Sequence, residues 1–433
     1  MRSIRLRILV PVITGLIAFF VPLFLSAQSF SFNCTRDTLL PGCPPAQCFT
    51  LTGIIPDIRR QSNTYTLNPT NSYPGSSCFP VYVQPDDPAG TPGNISVDDT
   101  YSGAINIGFP FPFYGTVYNS LVASTNGYLS FDLSNAGGFA SWSIGSDLPS
   151  TAYDRAMIMG PNHDLNPNVA QPTQRIQYQV WGTAPHRRWV LSYYRVPLFG
   201  SACTGLIENT HQIILYESTG IIEVNVFSKQ ICTGWNSGRG ILGIQDWNMT
   251  QGMMAPGRAG MANPPWGAVG MNESWRFVPS GGTSLLKRVE LLDIGGNIIA
   301  TGTTTSIANG KLEASFPNIC PPAGVTTSYI IRSVYEKFDD PAVEIFGTDT
   351  IRANRSAALA ATATPASATC GNANGSIVIT NVTGGTAPYE YSIDNTNWQS
   401  SNTFSGLAAG TYTVYIRDAG AVCVASYQVT VGL

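Results

Sequence analysis

The sequence predicts an all-β chain built as a series of β-sandwiches, and three observations carry that prediction. Only 11% of the 433 residues are charged, against about 25% in an average soluble protein, while the 43% that are hydrophobic can bury cores and exclude disorder as the default. With 43 Gly and 30 Pro, the chain is punctuated too often for long helices. Apolar residues alternate with small or polar ones in short runs bounded by turn signals, the period of half-buried strands. A helical bundle and a coiled coil are excluded by this pattern. A nucleic-acid binder is excluded because the net charge is −3 and Lys occurs only four times. A cytosolic α/β enzyme is disfavoured.

The first 27 residues are set apart from the fold. Arg2, Arg5 and Arg7 precede an apolar run, Ile8 to Leu25, that Pro11 and Pro22 interrupt; Ser26-Ala27 then offers small residues before Gln28. That order reads as a cleavable secretory signal peptide. An uncleaved anchor is the rival, because the run is just long enough to span a bilayer, but the prolines and small residues favour cleavage. No Cys stands at the cleavage point, so a lipid anchor is not expected. The expected location is secreted, extracellular or on the outer cell surface. Losing three bases and no acid makes the mature chain mildly acidic.

Nine cysteines in an exported chain read as disulfides first. Spacing groups Cys34, Cys43, Cys48 and Cys78 near the start, Cys203 with Cys232, and Cys370 with Cys423. In the chain-entropy account a 203–232 bridge is worth about 3–4 kcal/mol and a 370–423 bridge about 4 kcal/mol. Cys320 is left over, as a buried thiol or one whose partner lies outside this chain. A metal site is not expected at these cysteines, because no C-x2-C pair occurs and no His is near Cys43 and Cys48.

Four parts follow the leader. Residues 28–98, rich in Cys and Pro, hold short β-like runs at Cys48-Phe-Thr-Leu-Thr and Cys78-Phe-Pro-Val-Tyr-Val and are expected to pack on the next unit. Pro85 to Asp99 reads as a loop with Asp86, Asp87, Asp98 and Asp99 at its ends. Four carboxylates can bind calcium, but the strict ligand spacing is missing, and a solvated acidic loop is the expectation. Residues 99–280 form one large β-sandwich, with strands at Ile105 to Gly115, Leu121 to Phe131, Arg188 to Val196, Gln212 to Glu217 and Ile221 to Phe227. Asn126-Gly127 signals a type I′ hairpin turn, and Ser218-Thr-Gly220 a second turn. Residues 283–356, with strands at Leu285, Asn297, Lys311 and Ser328, suggest an immunoglobulin-like or fibronectin-like sandwich. An Ala/Thr/Ser linker, 357–368, leads into the last unit, 358–433.

Two segments carry resemblances. Gly108-Phe109-x-Phe111-x-Phe113-Tyr114-Gly115 and Ser124-x-Asn126-Gly127-x-Leu129-x-Phe131, continued by Arg188-Trp189, Tyr193-Tyr194 and Gln212 to Glu217, resemble a secreted β domain of bacterial surface proteins and, more distantly, the nidogen-like extracellular domain. Gly384-Gly385-x-x-Pro388-Tyr389-x-Tyr391-Ser392-x-Asp394, then Leu407-x-x-Gly410-x-Tyr412-x-Val414 and Asp418 to Cys423, closely resemble the SprB repeat of gliding-motility adhesins. This resemblance implies a cell-surface adhesin, type IX secretion, and the secretion and gliding machinery of the outer membrane as partners. It also implies tandem repeats and a C-terminal sorting domain. Neither follows here, so the sequence reads as a fragment or as a protein whose export stops in the periplasm.

Signals for catalysis are sparse. His163, His186 and His211 are the only histidines, and neither G-x-S-x-G nor H-E-x-x-H occurs. Gly238-Arg-Gly240-Ile-Leu-Gly243 fits a dinucleotide fingerprint, but a loop precedes it and β-like residues follow, so a turn is expected. No catalytic residue, metal or cofactor is assigned. Seven of the eight Trp residues fall within 99–280. Exposed Trp beside Asn, Asp and Arg can stack on sugar rings and bond their hydroxyls. The Gly- and Met-rich stretch from Trp235 to Trp266 is therefore the expected ligand-binding loop, with Trp235, Arg239, Asp246, Trp247 and Trp266 as candidates; burial in the sandwich core is the competing role for each Trp. The expected function is non-catalytic adhesion to an extracellular glycan or surface ligand. The alternative is a secreted glycan-acting hydrolase using Asp154, Asp164 and Glu217, which needs two carboxyls about 5–10 Å apart.

Overall fold

The structure is a computed structural model and describes residues 28–31, 36–40, 48–70, 91–92, 95–169, 173–203, 205–307, 310–420 and 423–433. The leader, Cys34, Cys43, Cys78, Asp86 and Asp87 lie outside these residues. Among the described residues there is no α-helix, only strands, loops and two short 3-10 turns, so the all-β class holds. No helix there is long and apolar enough to cross a membrane.

Two sheets build the central unit. A seven-stranded antiparallel sheet runs in the order Arg59–Thr70, Glu273–Ser284, Ile222–Ser228, Asn209–Tyr216, Arg188–Val196, Arg175–Trp181 and Thr91–Pro92. A six-stranded sheet runs in the order Gly252–Met254, Ile241–Gln245, Met157–Asn162, Tyr128–Ser130, Thr116–Ala123 and Ile105–Phe113. Alternation decides what faces the space between them. Trp189, Leu191, Tyr193, Ile213 and Leu215 from the first sheet meet Phe111, Leu129, Ile158 and Ile244 from the second in one core. The opposite residues of the seven-stranded sheet, Val190, Ile214, Tyr216 and Val278, are buried as well, against Leu51, Leu291, Ile331 and Tyr335 of the next unit. Strand Asn209–Tyr216 is buried along its whole length, as expected of a strand covered on both faces.

That next unit departs from the expected boundaries. Its eight-stranded sheet joins Leu286–Leu292, Ile298–Ile307, Lys311–Ile319, Thr326–Glu336 and Glu344–Arg355 with three strands from the start of the chain. Phe49–Pro56 pairs antiparallel with Lys311–Ile319, and Gln28–Ser31 and Arg36–Leu40 run parallel to Glu344–Arg355. Only Arg59–Thr70 joins the central unit, beside Glu273–Ser284. Segment 28–98 therefore does not simply pack on residues 99–280. Leu51, between exposed Thr50 and Thr52, and Ile55 are buried, and their apolar face completes the later sandwich.

This pairing corrects the cysteine reading too. Cys320 is not left over but bonded to Cys48, 272 residues away, which staples the end of strand Lys311–Ile319 to the start of Phe49–Pro56. The Cys203–Cys232 bridge forms, with Cα atoms 5.8 Å apart. The expected Cys370–Cys423 bridge does not. Cys370 is an exposed thiol, while Cys423 is 3% exposed within the last core, so the side chains occupy different environments.

The last unit is a small sandwich of two three-stranded sheets, Ala360–Ala366, Gly375–Thr383 and Thr403–Leu407 against Glu390–Ser392, Gly410–Arg417 and Val424–Val431. Ile377, Ile379, Phe404, Val414 and Ile416 fill it. The expected linker 357–368 is for the most part its first strand, paired with Gly375–Thr383. An Ala/Thr run has no large apolar face, yet its backbone bonds a neighbour as well as any other.

Candidate functional site

One end of the central sandwich gathers polar groups that a packed core normally excludes. The hub is the loop between Thr116–Ala123 and Tyr128–Ser130. Ser124 N donates to Tyr128 O, which closes a three-residue loop with Gly127 at φ +87°. Asn126 itself keeps a negative φ, so the turn is not type I′ but the three-residue form with one left-handed Gly. Its buried side chain ties three segments. Asn126 Nδ2 donates to Asp99 Oδ1 at 2.9 Å and to Ala140 O at 3.1 Å, and Oδ1 accepts from Leu165 N at 3.0 Å.

Asp98, Asp99 and Asp164 meet beside this hub, with one carboxylate oxygen from each within 4.8 Å of the others. Burial pushes Asp164 up to about 7, and the charges of Asp99 and Asp98 add to it against the hydrogen bond from Trp235. Asp98 rises to about 6 through burial and then the Asp99 charge. Asp99 is also raised, by burial, with Asn126 opposing. The expected solvated acidic loop is thus a half-buried carboxylate cluster in which Asp164, from the segment after Met157–Asn162, joins Asp98 and Asp99. Neighbouring His163 is buried and held well below its ordinary value, first by desolvation and then by Lys229 and His211. Lys229 is buried and lowered to about 7 by desolvation and the Arg258 charge; its ammonium donates to Gly238 O and Trp266 O.

Trp235 covers this cluster. Its Nε1 donates to Asp164 Oδ2 at 2.7 Å. The loop that carries it is anchored by the Cys203–Cys232 bridge and turned by three successive left-handed residues, Asn236, Ser237 and Gly238. Phe199 and Trp142 tilt against the indole, with ring centroids 5.0 and 5.5 Å away. Gly200, at φ +98°, lies under the ring, where an added Cβ would stand 3.1 Å from its Cγ. Beside Trp235 opens a cleft of about 410 Å³, lined by Asn166, Val169, Leu198, Phe199 and the Gly200–Ala202 turn. Trp235 and Phe199 are half-buried there.

The five expected ligand residues are dispersed. Trp235 lines this cleft, and Arg239 borders a small cavity that also touches Trp235, with His163 and Asp164. Trp266 is buried; its Nε1 donates to Gly240 O, and Lys229 and Arg258 sit over its ring. Asp246 and Trp247 lie beyond strand Ile241–Gln245, about 15 Å long. Asp246 closes a turn by accepting from Thr250 N and Gln251 N, and Trp247, 39% exposed, stacks under Arg155. Gly238 to Gly243 form a turn and then a strand, with no helix after them. Sequence reading missed Phe199, Trp142 and Asn126 as site residues. Their signal is faint, because pairing, not local pattern, brings positions 126, 142, 164, 199 and 235 together.

Two carboxylates of the hydrolase alternative, Glu217 and Asp164, do not converge. Glu217 is bound by Arg187 through both oxygens and is lowered overall, the Arg187 contacts outweighing burial. It sits beside Arg188, whereas Asp164 O accepts from Phe199 N beyond Val196. The strand between, Arg188–Val196, puts them about 25 Å apart. Asp154 accepts from the Tyr101 hydroxyl at 2.6 Å.

Comparison with known proteins agrees with the motifs. Residues 81–259 match the family described as NIDO related, and residues 362–397 match the SprB repeat. The cleft and the carboxylate cluster fall within the first match. No curated protein matches the chain. Among solved structures, the N-terminal eight Ig domains of Down Syndrome Cell Adhesion Molecule align at 10% identity and a TM-score of 0.20, covering 78% of this chain and 50% of that one. The protocadherin GammaB4 extracellular domain aligns at 10% identity and a TM-score of 0.18, covering 92% and 65%. The chain thus spans half of the first and 65% of the second, and likeness at this level fixes neither fold nor function.

Proposed function

We propose that the protein is a non-catalytic adhesion protein, exported to the cell surface or secreted, whose central unit binds an extracellular glycan at the Trp235 cleft. The observation that carries this is the cleft itself. A half-exposed indole and a half-exposed phenyl ring flank a space of about 410 Å³, within the size range of small-molecule sites. Aromatic faces supply stacking area for sugar rings, and Asn166 supplies a polar side chain at the edge of the space. The SprB repeat supports the surface location, and association with outer-membrane secretion and gliding machinery is part of the same proposal.

A glycan array probed with the mature chain tests the reading. Binding should fall at least tenfold in Trp235→Ala and stay unchanged in Trp247→Ala. A wild-type chain that binds no glycan, or a Trp235→Ala variant that binds as well, overturns it. The hydrolase alternative keeps one supporting observation, the elevated Asp164 carboxyl beside Asp98. Release of reducing sugar by the wild type and its loss in Asp164→Asn would favour that alternative.

A further inference from the structure

We propose that Asp98, Asp99 and Asp164 form a binding site for one divalent cation of the calcium class. Calcium accepts oxygen ligands at about 2.3–2.6 Å, so two ligands of one ion lie up to about 5.2 Å apart. The three carboxylates meet that limit pairwise. They come from two places, adjacent residues before the Thr100 bridge and the segment that leaves Met157–Asn162, and Asn126 fixes both.

A second observation points to an ion and not merely to acidity. Asp164 is 5% exposed, and its Oδ1 has no hydrogen-bond partner. Trp235 holds the other oxygen. Asp98 Oδ1 is likewise buried without a partner. An unpaired buried carboxylate oxygen costs about 1–3 kcal/mol or more, and no Lys or Arg pairs with any of the three among the described residues. A cation satisfies both orphan oxygens and offsets the repulsion among three carboxylates held this close. Asp98 and Asp99 are half-exposed, so waters can complete the six to eight ligands that calcium takes. Magnesium demands a tighter octahedron at about 2.0–2.1 Å and fits less well.

The site does not depend on what the cleft binds, and its test uses no glycan. Mature protein stripped with EDTA is titrated with CaCl2 by calorimetry, and with terbium excited through tryptophan. Expected are one site per chain, an affinity in the range of about 0.1–1 mM found in extracellular modules, and a thermal midpoint raised several degrees by calcium. Asp98→Asn and Asp164→Asn should abolish binding. Asp164→Asn should lose no stability without calcium, because it removes a repelling charge. Trp235→Phe should keep terbium binding but lose severalfold of the sensitised emission, which reads the location in a protein with all three carboxylates intact. Absence of wild-type binding at about 1 mM calcium overturns the site. So does wild-type affinity in both Asp variants, or undiminished sensitised emission in Trp235→Phe.

Discussion

Glu223 and Arg276 face each other across neighbouring strands with side chains 3% and 5% exposed. Arg276 Nε and one terminal nitrogen both donate to Glu223 Oε2, at 3.0 and 2.6 Å. Each sits where alternation along its strand calls for a solvent-facing residue, and each is buried because the following unit covers that face. Removing one partner strands the other charge in a dry interface. Arg276→Met should therefore cost about 3–5 kcal/mol in denaturant unfolding, while Glu223→Leu with Arg276→Met should recover most of that loss. His211 carries a pH dependence. It is fully buried, stacked on Tyr193 with His163 nearby, and lowered from 6.5 to about 3 by desolvation, which the Gly127 backbone only partly offsets. A depressed histidine contributes stability above its unfolded value near 6.5 and loses it as pH falls toward the folded value. Protonation favours the unfolded chain by about 2–3 kcal/mol at pH 4.5. His211→Phe should remove that term, so its stability relative to wild type should rise by this amount between pH 7 and pH 4.5 in urea titrations.

At the scale of elements, the loop that presents Trp235 rests on a bridge and a glycine. Cys203→Ala with Cys232→Ala should lower stability by about 3 kcal/mol and shift the Trp emission toward that of solvated indole. Gly200→Ala puts a methyl under the indole at a left-handed φ, so it should displace Trp235 and weaken any ligand of the cleft while the Trp247 surface is unaffected. Sequence reading located some strands of this unit and passed over others, among them Met157–Asn162, Arg175–Trp181 and Glu273–Ser284. Arg188–Val196 has the bounds that its alternation of Trp, Leu and Tyr predicts, because a half-buried or buried strand writes its period into the chain. It missed Ala360–Ala366, whose small side chains leave hydrogen-bond pairing as the only cue. It missed Glu344–Arg355 although buried and half-exposed residues alternate along it, because Thr, Asp and Arg stand among the apolar residues and dilute the pattern.

At the scale of the molecule, the seven-stranded sheet is shared as a wall. Its inner face closes the central sandwich, and its outer face packs on the unit that begins near Leu285. The central unit is therefore packed on its neighbour through a shared apolar face. That second unit also takes Phe49–Pro56 from the start of the chain, tied by Cys48–Cys320. A fragment of residues 283–356 should fail to unfold cooperatively in a thermal scan, because Lys311–Ile319 would be left as an open edge without Leu51 and Ile55. A fragment of residues 357–433 should unfold cooperatively by itself, since its six strands and its core lie within that range. A cooperative transition in the first fragment, or none in the second, would contradict the shared-strand architecture.

By itself the sequence determined the β class, the SprB and NIDO-related stretches, the aromatic richness of the central unit and the Cys203–Cys232 bridge. Each of these is encoded within one segment or between near neighbours, through period, spacing or an ordered motif. The tertiary structure alone decided the rest. It made Cys48 the partner of Cys320, gave early strands to a late sheet, and scattered Trp235, Trp247 and Trp266. It also brought Asp164 to Asp98 and Asp99. Those outcomes depend on which strand edges pair across tens to hundreds of residues, and that choice is made by the free energy of the assembled cores, which no local pattern records.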